Sequence, residues 1–176
     1  VPNIRDGFSI FAQWYNNINM KRTKHKKACH FATDYHSRRA VIPIELVELE
    51  DCSYHLIVKV DIDGIAGDMI IDTGASVTVA DQKLFPSQML DDNSISMQSG
   101  SVSGQINNVR IIQVKRLSIG GRNLRNFRLA GIDLDYVNEM YNKHLKRKII
   151  GLLGCDFCVR YKACIDYSKK ELTLNL

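Results

Sequence analysis

The apolar and polar positions of this chain fall into two regimes. Over residues 6–20, Phe8, Phe11, Trp14 (with Tyr15) and Ile18 recur at three- and four-residue steps. That spacing predicts a short helix with one apolar face, capped by Asp6 or Ser9. A single short helix needs something to pack on: the rest of the chain, a partner, or a missing upstream part. From Val41 the period shortens to two. Residues 41–46 read as an edge strand, because Pro43 cannot donate to a ladder. Over residues 54–62, Leu56, Val58 and Val60 share one face, with His55, Ile57, Lys59 and Asp61 on the other. Asp63-Gly64 is a strong hairpin-turn signal, and residues 65–71 return as the second strand. Residues 77–80, 109–117 and 124–130 read as further strands, the last two joined by Ile119-Gly120-Gly121-Arg122. Residues 81–84 read as a helical turn ending before Pro86, and residues 90–94 as a polar loop. Val137, Met140, Tyr141 and Leu145 have helical spacing, with Asp133 or Asp135 as a cap and Lys146-Arg147-Lys148 at the cation-favouring end. A hairpin of residues 163–166 and 171–176 around Tyr167-Ser168-Lys169-Lys170 closes the chain.

One stretch organises this pattern. In Ile70-Ile71-Asp72-Thr73-Gly74-Ala75-Ser76, two β-branched residues run into an acid, and a tight turn follows at once. The Ile pair reads as the end of a buried strand, and Gly74 lets the backbone fold back closely. An ordinary Asx turn between strands would explain Asp-Thr-Gly alone. The apolar residues before it, and Ala75-Ser76 after it, argue for a carboxylate held rigidly in an apolar setting. A companion lies downstream in Ile149-Ile150-Gly151-Leu152-Leu153-Gly154, where apolar pairs bracket a glycine on a second buried strand.

Asp72-Thr73-Gly74-Ala75-Ser76 resembles the active-site motif of retropepsin-like aspartic proteases. Ile150-Gly151-Leu152-Leu153-Gly154 is similar to that family's apolar-Gly motif before its C-terminal helix, which would then begin near Asp156. The resemblance covers residues 44–176. It implies a mostly β fold, a closed barrel with one or two short helices, to which the N-terminal helical piece is an extension. It also implies an aspartic endopeptidase without a cofactor. Residues 96–105, small, polar and rich in glycine, stand where the family has its substrate flap, with Gly100, Ser101, Val102 and Gly104 as flap residues. A disordered linker is the alternative, but a flap needs the freedom that Gly100 and Gly104 supply.

Peptide hydrolysis in this family uses two carboxylates sharing one proton, because two like charges held close cannot both ionise. The chain has one Asp-Thr-Gly; Asp63-Gly64 and Asp166-Tyr167 lack its flanks. Single-motif members pair two identical chains, so the resemblance implies a homodimer acting on a peptide or protein substrate. Asp72 is then catalytic. Thr73 would cross-brace the two turns, Gly74 would keep the backbone near the attacking water, and Ser76, beside Ala75, could hydrogen-bond near the acid. A terminal strand over residues 172–176 could add pairing between the chains. The competing reading is a non-catalytic barrel that binds peptides or serves as an interaction module. The intact motif favours the enzyme, since a binding module has no need of a paired, desolvated acid.

Composition and charge change this picture in the first forty residues. The chain of 176 residues is 45% hydrophobic, enough for one domain with a real core and a small extension. Residues 1–40 carry eight Lys/Arg against two Asp/Glu, and residues 41–176 sixteen against seventeen. The overall charge of +5 therefore belongs to an N-terminal piece, residues 1–40, set apart from a nearly neutral domain, residues 41–176. That piece is expected to be dispensable for folding of the barrel, as a pro-segment, an anchor helix or an adaptor. Residues 21–27, Lys-Arg-Thr-Lys-His-Lys-Lys, could contact nucleic acid, with strong salt dependence as the signature. Without aromatic interleaving, a solvated linker or helix end explains them better. Cys29, His30 and His36 lack paired ligand spacing, so no metal site is expected.

Five cysteines at irregular spacing do not form a disulfide framework and favour a reducing compartment. Cys155-Asp156-Phe157-Cys158 has neither a second pair for zinc nor a βαβ context, so buried apolar packing is its expected role. No apolar run is long enough for a membrane helix, and no signal peptide opens the chain. Because the chain opens on Val1 rather than Met, as a processed or truncated chain does, this argues only weakly for the cytoplasm.

Overall fold

The computed structural model describes residues 39–88 and 109–176. Its strands are β1 (Arg39–Pro43), β2 (Glu45–Glu50), β3 (Ser53–Ile62), β4 (Ile65–Ile71), β5 (Val79–Asp81), β6 (Arg110–Ile119), β7 (Arg122–Ile132), β8 (Ile149–Leu153), β9 (Cys164–Asp166) and β10 (Glu171–Asn175). Two helices accompany them, α1 (Asp135–Leu145) and α2 (Cys155–Arg160), with a single 3-10 turn at Pro86–Gln88. The N-terminal helix expected over residues 6–20, the basic run and the expected flap lie outside the described residues.

Six strands close on themselves in the order β3-β4-β8-β5-β7-β6, and β6 returns to β3 through Val60↔Ile119, Asp61↔Ser118 and Ile62↔Leu117. Alternation on β3 supplies the barrel interior. Val58, Val60 and Ile62 point in, where they meet Met69, Ile71, Ile112, Leu117, Leu129 and Leu153. Closure removes the exposed edges that an open sheet would leave. The fold is thus a mostly β, closed barrel with two short helices, as expected from the sequence.

The seam between β3 and β6 is fixed by Asp63. It turns the β3–β4 hairpin with φ 51°, followed by Gly64 at φ 95°, the two positive values a type I′ turn requires. Its carboxylate then accepts from the Arg116 amide at 2.7 Å and the Lys115 amide at 3.1 Å. Asp63→Ala removes both acceptors and puts a poor residue at positive φ. It should lower stability by about 1–2 kcal/mol, read as a drop in the denaturant midpoint with an unchanged slope.

Several elements depart from the sequence reading. The strand expected over residues 41–46 is two strands. At Ile44, whose N–H bonds to the Lys170 carbonyl at 2.9 Å, the chain leaves one sheet for another. β1 pairs with β10 and β2 with β3. β1 is the edge of its three-stranded sheet β1-β10-β9, as Pro43 requires, but it starts at Arg39, so the buried Ala40 belongs to the sheet. β10 is flanked on both sides by its own chain. β1 pairs with it along Glu171–Asn175, but β9 pairs with it only over Glu171–Thr173, so both sides of β10 are taken only as far as Thr173. The strand expected from Val77 starts at Val79.

Ile57, placed on the polar face of β3, is 2% exposed. α1 covers that face, and Ile57 joins Val47, Leu49, Leu134, Tyr141 and Ile149 in a second apolar cluster. There the Tyr141 hydroxyl pairs with His55 Nδ1 at 2.5 Å, and burial pushes its pKa up to about 12. The expected acidic caps of α1 work indirectly. Leu134 is the N-cap residue, while Asp133 Oδ1 accepts the Asp135 amide at 2.8 Å. Past its C-terminus, Arg147 answers Glu45 at 2.7 Å rather than the helix dipole alone.

Candidate functional site

β4 and β8 run parallel side by side, pairing Ile70 with Leu152 and Ile71 with Leu153. Parallel pairing in a barrel wall demands apolar residues on both faces, which explains the two Ile-rich runs. The Asp72 amide extends the ladder by one bond, to the Leu153 carbonyl at 2.9 Å. The chain then turns sharply. Asp72 Oδ1 accepts the Gly74 amide at 2.9 Å and the Ala75 amide at 3.2 Å, and the Ala75 amide also reaches the Asp72 carbonyl at 3.2 Å. Two backbone donors on one oxygen lock the direction of the carboxylate. Both bonds fall on Oδ1, and Oδ2 accepts none among the described residues. Asp72 and Ala75 are half-buried, while Thr73, Gly74 and Ser76 are exposed on the single chain. A side chain at Gly74 would meet Asp72 Oδ1 at 3.2 Å, so glycine here leaves the carboxylate its room.

The second motif locks this turn from behind. The Cys155 amide donates to the Ala75 carbonyl at 2.8 Å, and the Asp156 amide to the Ser76 carbonyl at 3.3 Å. Gly154 packs against the backbone of Val77 and Thr78, and its amide donates to Thr78 Oγ1 at 3.0 Å. The Thr78 hydroxyl is buried and donates to Asp156 Oδ1 at 2.7 Å. That oxygen also accepts the amides of Thr78 and Phe157, both at 2.8 Å. Thr78 and Asp156 therefore form a polar joint between the turn after Asp72 and the start of α2, with three donors converging on Asp156 Oδ1. Hydrogen bonds that converge in this way hold the two segments in fixed register.

The sequence singles out residues 72–76, and the structure brings them together with Leu153 of the second motif and with Cys155 and Asp156 that follow it. It does not describe Gly100, Ser101, Val102 or Gly104. Thr78 and Asp156 carry no local sign of their partnership, lying 78 residues apart. The Cys-x-x-Cys reading needs correction. Cys155 is half-buried rather than core, and its thiol donates to the Thr73 carbonyl at 2.9 Å. A thiol that can reach a bare carbonyl acts as a donor, which sequence alone cannot distinguish from a small apolar filler. Cys158 is half-buried as well, and burial pushes its thiol pKa up.

Among the described residues no helix is long and apolar enough to cross a membrane. No curated protein matches this chain by sequence. Among solved structures, a retropepsin-like aspartic protease from Rickettsia conorii is similar to it at 20% identity, over 78% of this chain and 89% of that one, with a TM-score of 0.48. The retroviral protease-like domain of Ddi1 from Leishmania major is similar at 14% identity, over 68% and 86%, with a TM-score of 0.46. EIAV protease, solved with the inhibitor HBY-793, is similar at 16% identity, over 63% and 91%, with a TM-score of 0.42. The family model described as aspartyl protease matches residues 58–157, more than half of the chain, from the middle of β3 through the Asp72 turn to α2. The chain belongs to the aspartyl protease family.

Proposed function

We propose that this protein is an aspartic endopeptidase whose active site is assembled from the Asp72 turns of two identical chains. The observation that carries the reading is the Asp72 turn itself. It is a rigid carboxylate with one oxygen held by two amides and the other open, on a turn whose neighbours Thr73, Gly74 and Ser76 are exposed on the single chain. A second copy facing this surface would supply the second acid that the reaction requires.

With two Asp72 side chains close together, one proton is shared and the pair titrates as a unit. The ionised member takes a proton from a water lying between them as that water attacks the scissile carbonyl carbon. The protonated member donates to the carbonyl oxygen, giving a tetrahedral diol. Collapse breaks the C–N bond, and the amine leaves with a proton returned by the pair. Thr73 braces each turn against the other, and Ser76 hydrogen-bonds beside the acid. Residues 100–104 close over the substrate as a flap.

The test is cleavage of an unstructured protein by the purified chain across pH. Activity should be highest at acidic to mildly acidic pH, where one of two coupled carboxylates stays protonated, and statine-type inhibitors should block it. Peptide binding without cleavage at any pH would instead establish the non-catalytic binding module.

A further inference from the structure

We propose that Cys155 is a positioning residue for the Asp72 carboxylate, acting through the Thr73–Gly74 peptide. The inference rests on the reading of Asp72 as the catalytic acid. The Cys155 thiol donates to the Thr73 carbonyl oxygen at 2.9 Å. The other end of the same peptide unit, the Gly74 N–H, donates to Asp72 Oδ1 at 2.9 Å. A peptide unit is planar, so fixing its carbonyl fixes the direction of its N–H. Hydrogen bonds at opposite ends of one amide also polarise it and strengthen each other. The Cys155 amide meanwhile holds the Ala75 carbonyl at 2.8 Å, so one residue grips the turn on both sides of Gly74. Thr73 and Gly74 are exposed, and the thiol is the side-chain donor that holds their shared peptide from within the chain. The Gly74 bond fixes where Asp72 Oδ1 points, so a peptide free to rock would weaken that bond and let the carboxylate drift from its place.

Cys155→Ser keeps a donor and loses apolar character; Cys155→Val does the reverse. If the thiol positions the turn, serine keeps kcat within about threefold of wild type. Valine lowers kcat about tenfold, close to 1.4 kcal/mol, with KM nearly unchanged. In parallel, the Gly74 amide proton resonance stays in place for serine and moves upfield for valine, as expected for a weakened hydrogen bond. Valine matching or exceeding serine, or both matching wild type in rate and in the Gly74 resonance, would overturn the proposal. A wild-type chain that cleaves nothing would overturn the endopeptidase reading instead, and the Gly74 resonance would still decide the role of Cys155.

Discussion

Asp72→Asn should abolish proteolysis while leaving the chain folded. The asparagine side-chain oxygen can still accept the Gly74 and Ala75 amides that now bind Asp72 Oδ1 at 2.9 and 3.2 Å, so the turn keeps its ties. What disappears is the ionisable oxygen. An amide cannot take a proton from water, and a dimer of asparagine chains has neither base nor acid. The expected loss in kcat is about 10^3–10^4 or more, the range of a general acid–base group whose partner cannot act alone. Melting temperature should change little. Cleavage by the variant at the wild-type rate would remove Asp72 from the mechanism.

The second large effect is structural. Gly154→Ala should destabilise the chain by about 3 kcal/mol, with a fall in melting temperature of roughly 6–12 °C. The added methyl carbon would lie 2.5 Å from the Val77 carbonyl carbon, 2.7 Å from its oxygen and 2.8 Å from the Thr78 nitrogen. These are backbone atoms, so no rotamer change can relieve the clash. They also belong to the joint in which Thr78 Oγ1 accepts the Gly154 amide and donates to Asp156. The substitution should therefore reduce activity beyond its effect on the folded fraction, because the Asp72 turn is seated on that joint. A melting temperature within a couple of degrees of wild type would mean that the two motifs are not packed as described.

Much of this site was legible because its residues are locally constrained. A buried parallel strand needs an unbroken apolar run, and residues 69–71 and 149–153 display it. A tight turn needs Gly74 directly after the acid. What escaped was set by distant contacts. Ile57 alternates with Leu56 and Val58 as an outward residue, and only α1, some eighty residues later, makes its face interior. Residues 41–46 alternate continuously, so nothing local marks the change of sheet at Ile44; the Lys170 carbonyl decides it. The last strand read as available for intermolecular pairing, and nothing local showed that β1 runs along one side of it and β9 along the other as far as Thr173. Thr78 looked like one more β-former between Val77 and Val79, and its function lies in Asp156.

That hydrogen-bonding also shows where the closing hairpin draws its order. Asp166 Oδ1 accepts the Ser168 hydroxyl at 2.7 Å and the Ser168 and Lys169 amides at 3.0 Å. The Ser168 bond first, then the Lys169 amide, holds the Asp166 pKa down at about 2. A depressed folded pKa means these ties are intact above the ordinary carboxylate value and are lost as pH falls through about 2. The β9–β10 turn should therefore persist at the acidic pH expected for the proposed proteolysis.

The central claim is that one active site needs two chains, and mixing tests it most directly. A fixed amount of wild-type chain is held above the dimer dissociation range, with substrate in large excess, and titrated with Asp72→Asn chains. In the proposed isologous contact, the variant would pair with wild type as readily as with itself. If the site is shared, activity falls as mixed dimers form, to about a tenth at a tenfold excess by random pairing. Activity that stays constant throughout the titration would contradict the shared site and would require a second acid within the single chain.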